Sequence, residues 1–235
     1  MRVGIVQSSY IPWRGYFDFI ASVDLFILLD DVPFSQRPDW RKRNRVKTRH
    51  GLRWLTVPVT AKGPLLIDQV LISDTGKSWR NTHHAVLSDS FSPCPYRTEA
   101  LEIWQAGVVD APRYLSQLNR RLTEGVCDYL QIKTPLVDSR DLGATGAKTQ
   151  RLLNLLTKVG ATRYLSGPVA KDYLDEQLFR EAAIALEYKT YDYPSYPQPW
   201  GSFTSAVTVL DLIANVGPAA MQYLRSATPA VVAVP

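Results

Sequence analysis

The chain has 235 residues, of which 46% are hydrophobic and 21% are charged. This is enough for one substantial core, alone or with a smaller helical lobe. Its net charge of +5 mildly favours anionic ligands, and its two cysteines do not suggest a disulfide-rich secreted scaffold. No apolar run approaches the roughly 20 residues that cross a bilayer, and no signal-peptide pattern stands at the N-terminus. We therefore expect a cytoplasmic protein without membrane association; its oligomeric state is not indicated.

The opening stretch predicts two buried strands, each followed by polar or aromatic side chains. Residues 2–7 and 25–29 predict the strands, and residues 15–23 predict a short helix between them. In an open α/β sheet, ligands bind at the carboxyl ends of the strands. The sequence therefore predicts a site formed by the groups that follow these two strands: Gln7, Ser9, Tyr10, Trp13, Tyr16, Asp30 and Asp31.

The turn after the first strand resembles the strand-to-helix turn of nucleotidylyltransferases, where a helix N-terminus receives phosphates. Those enzymes place histidines in this turn, whereas this chain has Tyr10 and Trp13 at the matching positions. Adenylyl transfer by that mechanism is therefore not expected. The turn is either a ligand-binding turn or an ordinary connection packed by aromatic side chains.

The adjacent carboxylates Asp30 and Asp31 are catalytic candidates. One of them would act as a general base or bind a sugar or an amine. Alternatively, one caps a turn or pairs with an arginine. No other acidic cluster lies nearby in the sequence, so we predict no metal site, and no motif indicates a cofactor. The choice between the two carboxylates stays open.

Residues 43–48 and 53–59 predict a β-hairpin with a tight turn at His50-Gly51. Its first arm and the residues just before it carry cations at every second position, which would point the same way. Such a run is often only a solvated face, but planar guanidinium groups also suit a phosphate, a pyrophosphate or an RNA backbone. The hairpin candidates for anion binding are Arg43, Asn44, Arg45 and Lys47.

A helical lobe is predicted next, from helices over residues 78–90, 96–105 and 112–130. We interpret residues 78–131 as an insertion into a single domain of residues 1–235. His83 lies in the first of these helices, as a candidate acid or base or as a structural residue. Just before the lobe, residues 69–72 predict a short strand.

The rest of the chain alternates strands and helices, which is typical of parallel βαβ crossovers. Strands are predicted over 134–139, 163–166 and 184–188, and helices over 147–159, 172–181 and 205–215, before a frayed or lightly packed tail from Ala227. Ser166 ends a strand, where Ser166-Gly167 forms either a ligand loop or a tight turn, and Gln198 lies in a loop that would cover the site, so both are substrate-binding candidates. The fold class predicted is a Rossmann-like three-layer α/β fold with a mostly parallel sheet, an inserted β-hairpin and a helical lobe.

Several motifs together resemble the WbqC-like protein family. They are a Gln-x-x-Tyr-x-Pro-Trp-x-Gly-Tyr-Phe pattern, Leu-Asp-Asp-Val-x-Phe, Trp-Arg-x-Arg-Asn-Arg-Val-Lys and Trp-Leu-Thr-Val-Pro-Val, and they stand at residues 7–17, 29–34, 40–47 and 54–59. Later patterns at residues 164–174, 196–203 and 205–217 extend the resemblance over nearly the whole chain.

The resemblance implies a tailoring transferase of bacterial polysaccharide or specialised-metabolite biosynthesis. Acyl or aminoacyl transfer to an amine or hydroxyl of a sugar or metabolite intermediate is the expected reaction. The basic face of the hairpin would hold the phosphate end of the donor, which would be a nucleotide sugar, a carrier protein or an aminoacyl-tRNA. Two alternatives stay open: a noncatalytic binder of a nucleotide-linked or carrier-bound intermediate, and a tRNA-binding protein.

Overall fold

A computed structural model describes residues 1–35, 37, 39–73, 78–110 and 112–235. The strands of this part of the chain are β1 (Arg2–Val6), β2 (Leu25–Leu28), β3 (Arg43–Thr48), β4 (Gly51–Thr56), β5 (Val59–Thr60), β6 (Leu71–Ile72), β7 (Leu136–Asp138), β8 (Arg163–Ser166), β9 (Ala185–Tyr188) and β10 (Val231–Val234). Its α-helices are α1 (Arg14–Ile20), α2 (Trp79–Ser90), α3 (Arg97–Val108), α4 (Leu115–Tyr129), α5 (Ser139–Leu142), α6 (Lys148–Lys158), α7 (Glu176–Glu181), α8 (Val209–Val216) and α9 (Ala220–Leu224).

Six strands form the central sheet, in the order β10-β9-β8-β1-β2-β7. All neighbouring pairs are parallel except β9 and β10, which are antiparallel. The chain moves outward from β1 to β2 and β7, and then returns to the other side of β1 with β8 and β9. The predicted Rossmann-like, mostly parallel α/β fold is confirmed. The topological switch point, where ligands bind in such sheets, lies between β1 and β8.

Alternating side chains of the strands pack on two faces of the sheet, which gives three layers. Phe26 and Leu28 of β2 join the hydrophobic cluster that contains Trp104 of α3 and Leu118 of α4. Ile27 of the same strand joins the cluster on the opposite face, with side chains of α6 and α7. The helices α2, α3 and α4 thus share one hydrophobic cluster with the sheet.

The predicted hairpin is present as β3 and β4, with a turn one residue earlier than expected. Thr48 pairs with Gly51, so Arg49 and His50 form the loop. Gly51 has a φ of 100°, which a residue without a Cβ adopts at little cost, and the second arm begins there instead of at Arg53. This register places Trp54 directly opposite Arg45.

Three further elements differ from the sequence prediction. Residues 69–72, predicted as one strand, form the end of a 3-10 helix (Ile67–Gln69) and β6. The helix predicted over 172–181 is divided into a 3-10 helix (Pro168–Asp172) and α7. Asp175 is the N-cap residue of α7, and its carboxylate accepts a hydrogen bond from the Gln177 amide. The last predicted helix starts at Val209 rather than at residue 205, because the Thr208 hydroxyl caps it.

The C-terminal tail, predicted to be frayed or lightly packed, is not frayed, although Val231 and Val232 are exposed. Val231–Val234 forms β10 at the edge of the central sheet, and the side chain of Val234 is buried. No helix in the described ranges is long and apolar enough to cross a membrane.

Candidate functional site

Two cavities open where the parallel strands β1, β2 and β7 end. The first, which we call the acidic cleft, has a volume of about 450 Å³ and follows β2 and β7. The second, the aromatic pocket, has a volume of about 380 Å³ and follows β1. β1 and β2 are neighbours in the sheet, so the two cavities lie on the same edge.

The acidic cleft is lined by charged and amide side chains and one aromatic ring. Five carboxylates and three arginines contribute to it: Asp30, Asp31, Asp68, Asp138, Asp141, Arg113, Arg120 and Arg140. Gln69, Gln117 and Tyr114 complete much of the polar wall. Such a wall suits a polar ligand with several hydroxyl or amino groups, because carboxylates accept from these groups and arginines donate to oxygens.

Asp30 lies in the wall of this cleft, only 5% exposed. The Ser8 backbone amide donates to Asp30 Oδ1 over 2.8 Å, which joins the ends of β1 and β2. Burial raises the pKa of the Asp30 carboxyl to about 6, although the hydrogen bonds from Ser8 act in the opposite direction. At neutral pH this group is ionised and is a stronger base than an ordinary aspartate.

Asp31 is held differently. Arg151 forms an ion pair with its Oδ2 at 2.5 Å, and the Ser139 hydroxyl donates to its Oδ1 at 2.5 Å. Both carboxylate oxygens are therefore engaged by neighbouring side chains. The two adjacent aspartates therefore have different surroundings.

Two other carboxylates of the acidic cleft pair with arginines. Asp68 pairs with Arg140, and Asp138 pairs with Arg120 over 2.6 Å. Among the described residues, no three His, Cys, Asp or Glu side chains are grouped so that they could hold a metal ion.

The aromatic pocket brings together five of the predicted substrate-binding residues. Its wall includes Ser9, Trp13, Tyr16, Asn44 and Arg45. Trp40, Pro12, Ser205 and Ala206 also line it. Its position at the end of β1 is beside the switch point of the sheet.

Asn44 supports the turn that forms the floor of the aromatic pocket. Its side-chain amide donates to the carbonyl oxygens of Tyr10 (3.2 Å) and Ile11 (2.8 Å), and its Oδ1 accepts from the Arg45 amide (2.7 Å). Ile11 has a φ of 36°, which is unusual for a β-branched residue. The amide of Asn44 therefore holds a strained turn in place.

The outer face of the hairpin forms what we call the Trp–Arg ladder, composed of Trp40, Arg43, Arg45 and Trp54. The guanidinium of Arg43 lies 3.9 Å from the ring centroid of Trp54. That of Arg45 lies 5.3 Å from Trp54 and 5.6 Å from Trp40. A cavity of about 270 Å³ lies among these side chains. The alternation predicted for Arg43 and Arg45 thus places both cations on one face, stacked on indole rings.

Lys47 shares this alternation but has a different environment. Its ammonium is buried and donates to Gln198 Oε1 (3.1 Å), Gly201 O (3.0 Å) and Ser202 O (2.7 Å). Gln198 in turn donates to Asp211 Oδ1 over 2.6 Å. Lys47 and Gln198 bind each other and anchor the loop before α8, so we assign both to the structural framework and not to the site.

His83 and Tyr10 lie in the core. The Tyr10 hydroxyl is 2.8 Å from His83 Nδ1 and accepts from Trp104 Nε1, also over 2.8 Å. Burial lowers the pKa of His83 to about 4, so its imidazole is neutral at physiological pH. The structure places this pair between the turn and the helices α2 and α3, outside both cavities.

Gln7 and Ser166 also make contacts within the protein. Gln7 Oε1 accepts from Arg41, whose guanidinium also pairs with Asp39 at 2.6 Å. The buried Ser166 hydroxyl contacts the Tyr164 hydroxyl at 3.4 Å. Neither residue lines the two cavities.

Some residues of the cavities are absent from the predicted site, although signals for two of them exist in the sequence. Asp138 is the last residue of β7, just as Asp30 and Asp31 follow β2. The rule that ligands bind at the carboxyl ends of the strands therefore applies to Asp138 as well. Trp54 is the cross-strand partner of Arg45, which a correct turn position would have revealed. Arg113, Arg120 and Arg140 come from three segments that only the tertiary fold brings together.

Comparison with known proteins identifies the family. The model of the WbqC-like protein family matches residues 7–223. The chain is 46% identical over 229 residues to the uncharacterized protein Rv1507c of Mycobacterium tuberculosis, an alignment that covers 95% of this chain and 97% of that relative. No solved structure matches the chain significantly. The resemblance seen in the motifs is confirmed, and the chain belongs to the WbqC-like protein family.

Proposed function

We propose that this protein is a biosynthetic tailoring transferase, which moves an acyl or aminoacyl group onto an amine or hydroxyl of a sugar or metabolite intermediate. Membership of the WbqC-like family suggests the biosynthetic role. The observation that carries the proposal is Asp30, a nearly buried carboxylate with a pKa of about 6 in the wall of the acidic cleft. Perturbed carboxylates in clefts are typical of catalytic bases.

The acidic cleft would hold the acceptor. Carboxylates favour a protonated amine and accept from sugar hydroxyls, while Gln69 and Gln117 add amide groups that donate and accept. Tyr114 offers a ring against which the apolar face of a sugar can pack. The volume of about 450 Å³ fits an acceptor of the size of one or two sugar rings.

The transfer would be direct. Burial raises the pKa of the thiols of Cys94 and Cys127 to about 12, so neither is a nucleophile at neutral pH. In the proposed step, the acceptor nitrogen or oxygen forms a bond to the donor's acyl carbon as the bond to the donor's leaving group breaks. Asp30 takes the proton that the acceptor loses. Asp31 would contribute by fixing Arg151 and Ser139 beside the cleft.

The donor would carry its phosphate on the hairpin side. Arg43 and Arg45 present guanidinium groups on the Trp–Arg ladder, and Arg45 also lines the aromatic pocket. Ser8, which donates to Asp30, directly precedes Ser9 of the aromatic pocket. A donor anchored on the hairpin would therefore have to cross only this short segment for its acyl end to reach the acidic cleft.

Turnover by Asp30→Asn and Asp31→Asn variants tests the role of the base. Candidate acceptors, such as amino sugars and their nucleotide-linked forms, would be offered with acyl-carrier, acyl-coenzyme A or aminoacyl-tRNA donors, and product would be followed by mass spectrometry. Loss of a general base lowers the rate by about a hundred-fold or more. We expect that loss with Asp30→Asn at unchanged acceptor affinity, and a smaller loss with Asp31→Asn. Equal turnover of Asp30→Asn and the unmodified protein contradicts the proposal.

A noncatalytic binder of a nucleotide-linked or carrier-bound intermediate is the second candidate. The exposed Trp–Arg ladder favours it, because that surface can bind a donor without any catalytic carboxylate. This candidate predicts ligand binding that the Asp30→Asn change leaves intact, and no product with any of the donors.

A further inference from the structure

The Trp–Arg ladder has a composition that phosphate binding alone does not require. Trp40 is 48% exposed and Trp54 is 40% exposed, although large aromatic side chains usually lie inside a protein. Their ring centroids are 5.4 Å apart with an interplanar angle of 43°, so the two rings are tilted against each other. Two neighbouring exposed indoles are the kind of platform on which nucleobases stack.

Arg45 lies at the centre of this surface. Its side chain lines both the aromatic pocket and the smaller cavity of the Trp–Arg ladder, and Trp40 is the other residue that the two cavities share. Within the described part of the chain, the buried Nε of Arg45 donates to no acceptor. A guanidinium stacked on an aromatic ring keeps its N–H edge available for two parallel hydrogen bonds to an oxyanion.

The neighbouring charges do not oppose an anion at this position. Asp39 is the carboxylate that lines the ladder cavity, and it forms an ion pair with Arg41 at 2.6 Å and accepts from the Arg41 amide at 3.0 Å. Its charge is therefore compensated by Arg41. No uncompensated carboxylate therefore lies beside Arg45 among the described residues that line this cavity.

The aromatic pocket next to Arg45 has the dimensions and walls for a planar ring system. Its volume of about 380 Å³ exceeds that of a nucleoside, and rings of Trp13, Tyr16 and Trp40 contribute to its walls. The side-chain amide of Asn44 is already occupied by the turn. The hydroxyls of Ser9 and Ser205 are thus the polar side-chain groups at hand for a base or a ribose.

We propose that the aromatic pocket and the Trp–Arg ladder together bind a nucleotide, with its base between the aromatic rings and its phosphate on Arg45. The inference deepens the proposed function, on which its biological role rests, by assigning the donor to the nucleotide-bearing class. A nucleoside diphosphate conjugate and the single-stranded 3′ end of an RNA share this chemistry. The smaller ladder cavity would receive the unit that follows the phosphate.

Equilibrium binding without turnover tests this inference, so that its result does not depend on whether the protein is a transferase. The probes are AMP, ADP, UDP, ribose 5-phosphate and an eight-nucleotide single-stranded RNA, titrated by calorimetry at two salt concentrations. We expect AMP, which differs from ribose 5-phosphate by its base, to bind at least about five-fold more tightly than ribose 5-phosphate, because base stacking on an aromatic side chain adds affinity.

Variants of the ladder identify the surface. Trp40→Ala and Arg45→Lys should each weaken nucleotide binding at least about five-fold, the first by removing a stacking face and the second by removing the bidentate fork. Arg53→Ala is the matched control, because Arg53 is an exposed cation of the same hairpin that neighbours Trp54 and so points to the opposite face. It should leave nucleotide affinity unchanged.

The result also separates the two sources of the nucleotide. If the RNA binds at least ten-fold more tightly than ADP or UDP, with a steeper salt dependence, the site is assigned to an RNA end. If the affinity of the RNA equals that of the mononucleotide, the site is assigned to a free nucleotide conjugate. Equal binding of nucleotides and ribose 5-phosphate, or affinities that Trp40→Ala and Arg45→Lys leave unchanged, overturns the inference. If a variant does not fold, the unmodified protein is cross-linked by ultraviolet light to 5-bromouridine RNA or 5-bromo-UDP. Attachment outside residues 9–16, 39–54 and 205–206 overturns the inference.

Discussion

The Ser8 backbone amide donates a hydrogen bond of 2.8 Å to Oδ1 of Asp30, and this contact joins the ends of the central strands β1 and β2. It fixes the carboxylate at the edge of the sheet where the acidic cleft opens. A hydrogen bond to the charged form favours ionisation, whereas burial disfavours it. Because burial has the larger effect, the pKa of Asp30 rises to about 6, which is close to the pH at which a base must work.

The first prediction concerns the pH dependence of the proposed reaction. If Asp30 is the base, kcat/KM should rise as pH increases through about 6 and reach a plateau above pH 7, since only the ionised carboxylate accepts the acceptor's proton. Steady-state rates from pH 5 to pH 8 measure the profile. Asp30→Asn should remove this inflection, whereas Asp31→Asn should retain it. A profile without an inflection between pH 5 and 7 in the unmodified protein would argue against Asp30.

The second prediction concerns stability. The pKa of Asp30 is raised from 3.8 to about 6, so between these values the folded state holds the proton more tightly than the unfolded state does. The free energy of unfolding therefore falls as pH rises, by about 3 kcal/mol from this one group. In Asp30→Asn the free energy of unfolding does not fall in this way, because an amide does not titrate. The stability of this variant relative to the unmodified protein should therefore increase between pH 4 and pH 7.5.

Urea unfolding at both pH values measures this difference, and other carboxylates contribute equally to both proteins and cancel. Asp31→Asn is the control, because Asp31 gains an ion pair with Arg151 in the folded state. It should lower stability at pH 7.5. A stability difference between Asp30→Asn and the unmodified protein that is the same at both pH values would show that Asp30 is not desolvated.

The sequence predicts local features of the site well and its tertiary contacts poorly. The rule about strand ends predicts that Asp30 lies at the edge of the sheet, and the alternation along β3 predicts that Arg43 and Arg45 share one face. Lys47 follows the same alternation, but a loop about 150 positions later covers it, and no local pattern indicates that contact. The burial of His83 also depends on the helices packed around it.

The fold shows the same limit. The alternation of strands and helices predicts the parallel sheet, because each βαβ unit is a local feature with a fixed handedness. The final strand β10 pairs with β9 through contacts between residues more than 40 positions apart, such as Val231 and Tyr188. The short apolar tail that forms it carries no turn signal or alternation that would reveal this pairing.

The third prediction concerns Lys47. Lys47→Met should lower the free energy of unfolding by about 1–3 kcal/mol, because oxygens of Gln198, Gly201 and Ser202 would lose the charged donor of a buried lysine. Lys133→Met, which removes a charge from an exposed side chain, should change it by less than about 0.5 kcal/mol. If Lys47 instead binds phosphate, Lys47→Met would lower the affinity for the ligand, and its midpoint of thermal unfolding would equal that of Lys133→Met.

The last prediction concerns Tyr10, which the sequence suggested as a substrate-binding residue and the structure places in the core. Tyr10→Phe keeps the ring and removes only the hydroxyl, so Trp104 Nε1 loses its acceptor and His83 Nδ1 loses its partner, both in a buried environment. Leaving buried polar atoms unsatisfied costs about 1–3 kcal/mol, and the free energy of unfolding should fall by that amount.

Tyr173→Phe is the control for Tyr10→Phe, since its ring is 68% exposed and its hydroxyl change should cost almost nothing. Thermal unfolding followed by circular dichroism measures both variants, and nucleotide and acceptor affinities are determined on the same samples below the transition. We expect Tyr10→Phe to lower the unfolding temperature and to leave both affinities unchanged, because the hydroxyl faces α2 and α3 and neither cavity. A loss of affinity with an unchanged unfolding temperature would instead return Tyr10 to the ligand site.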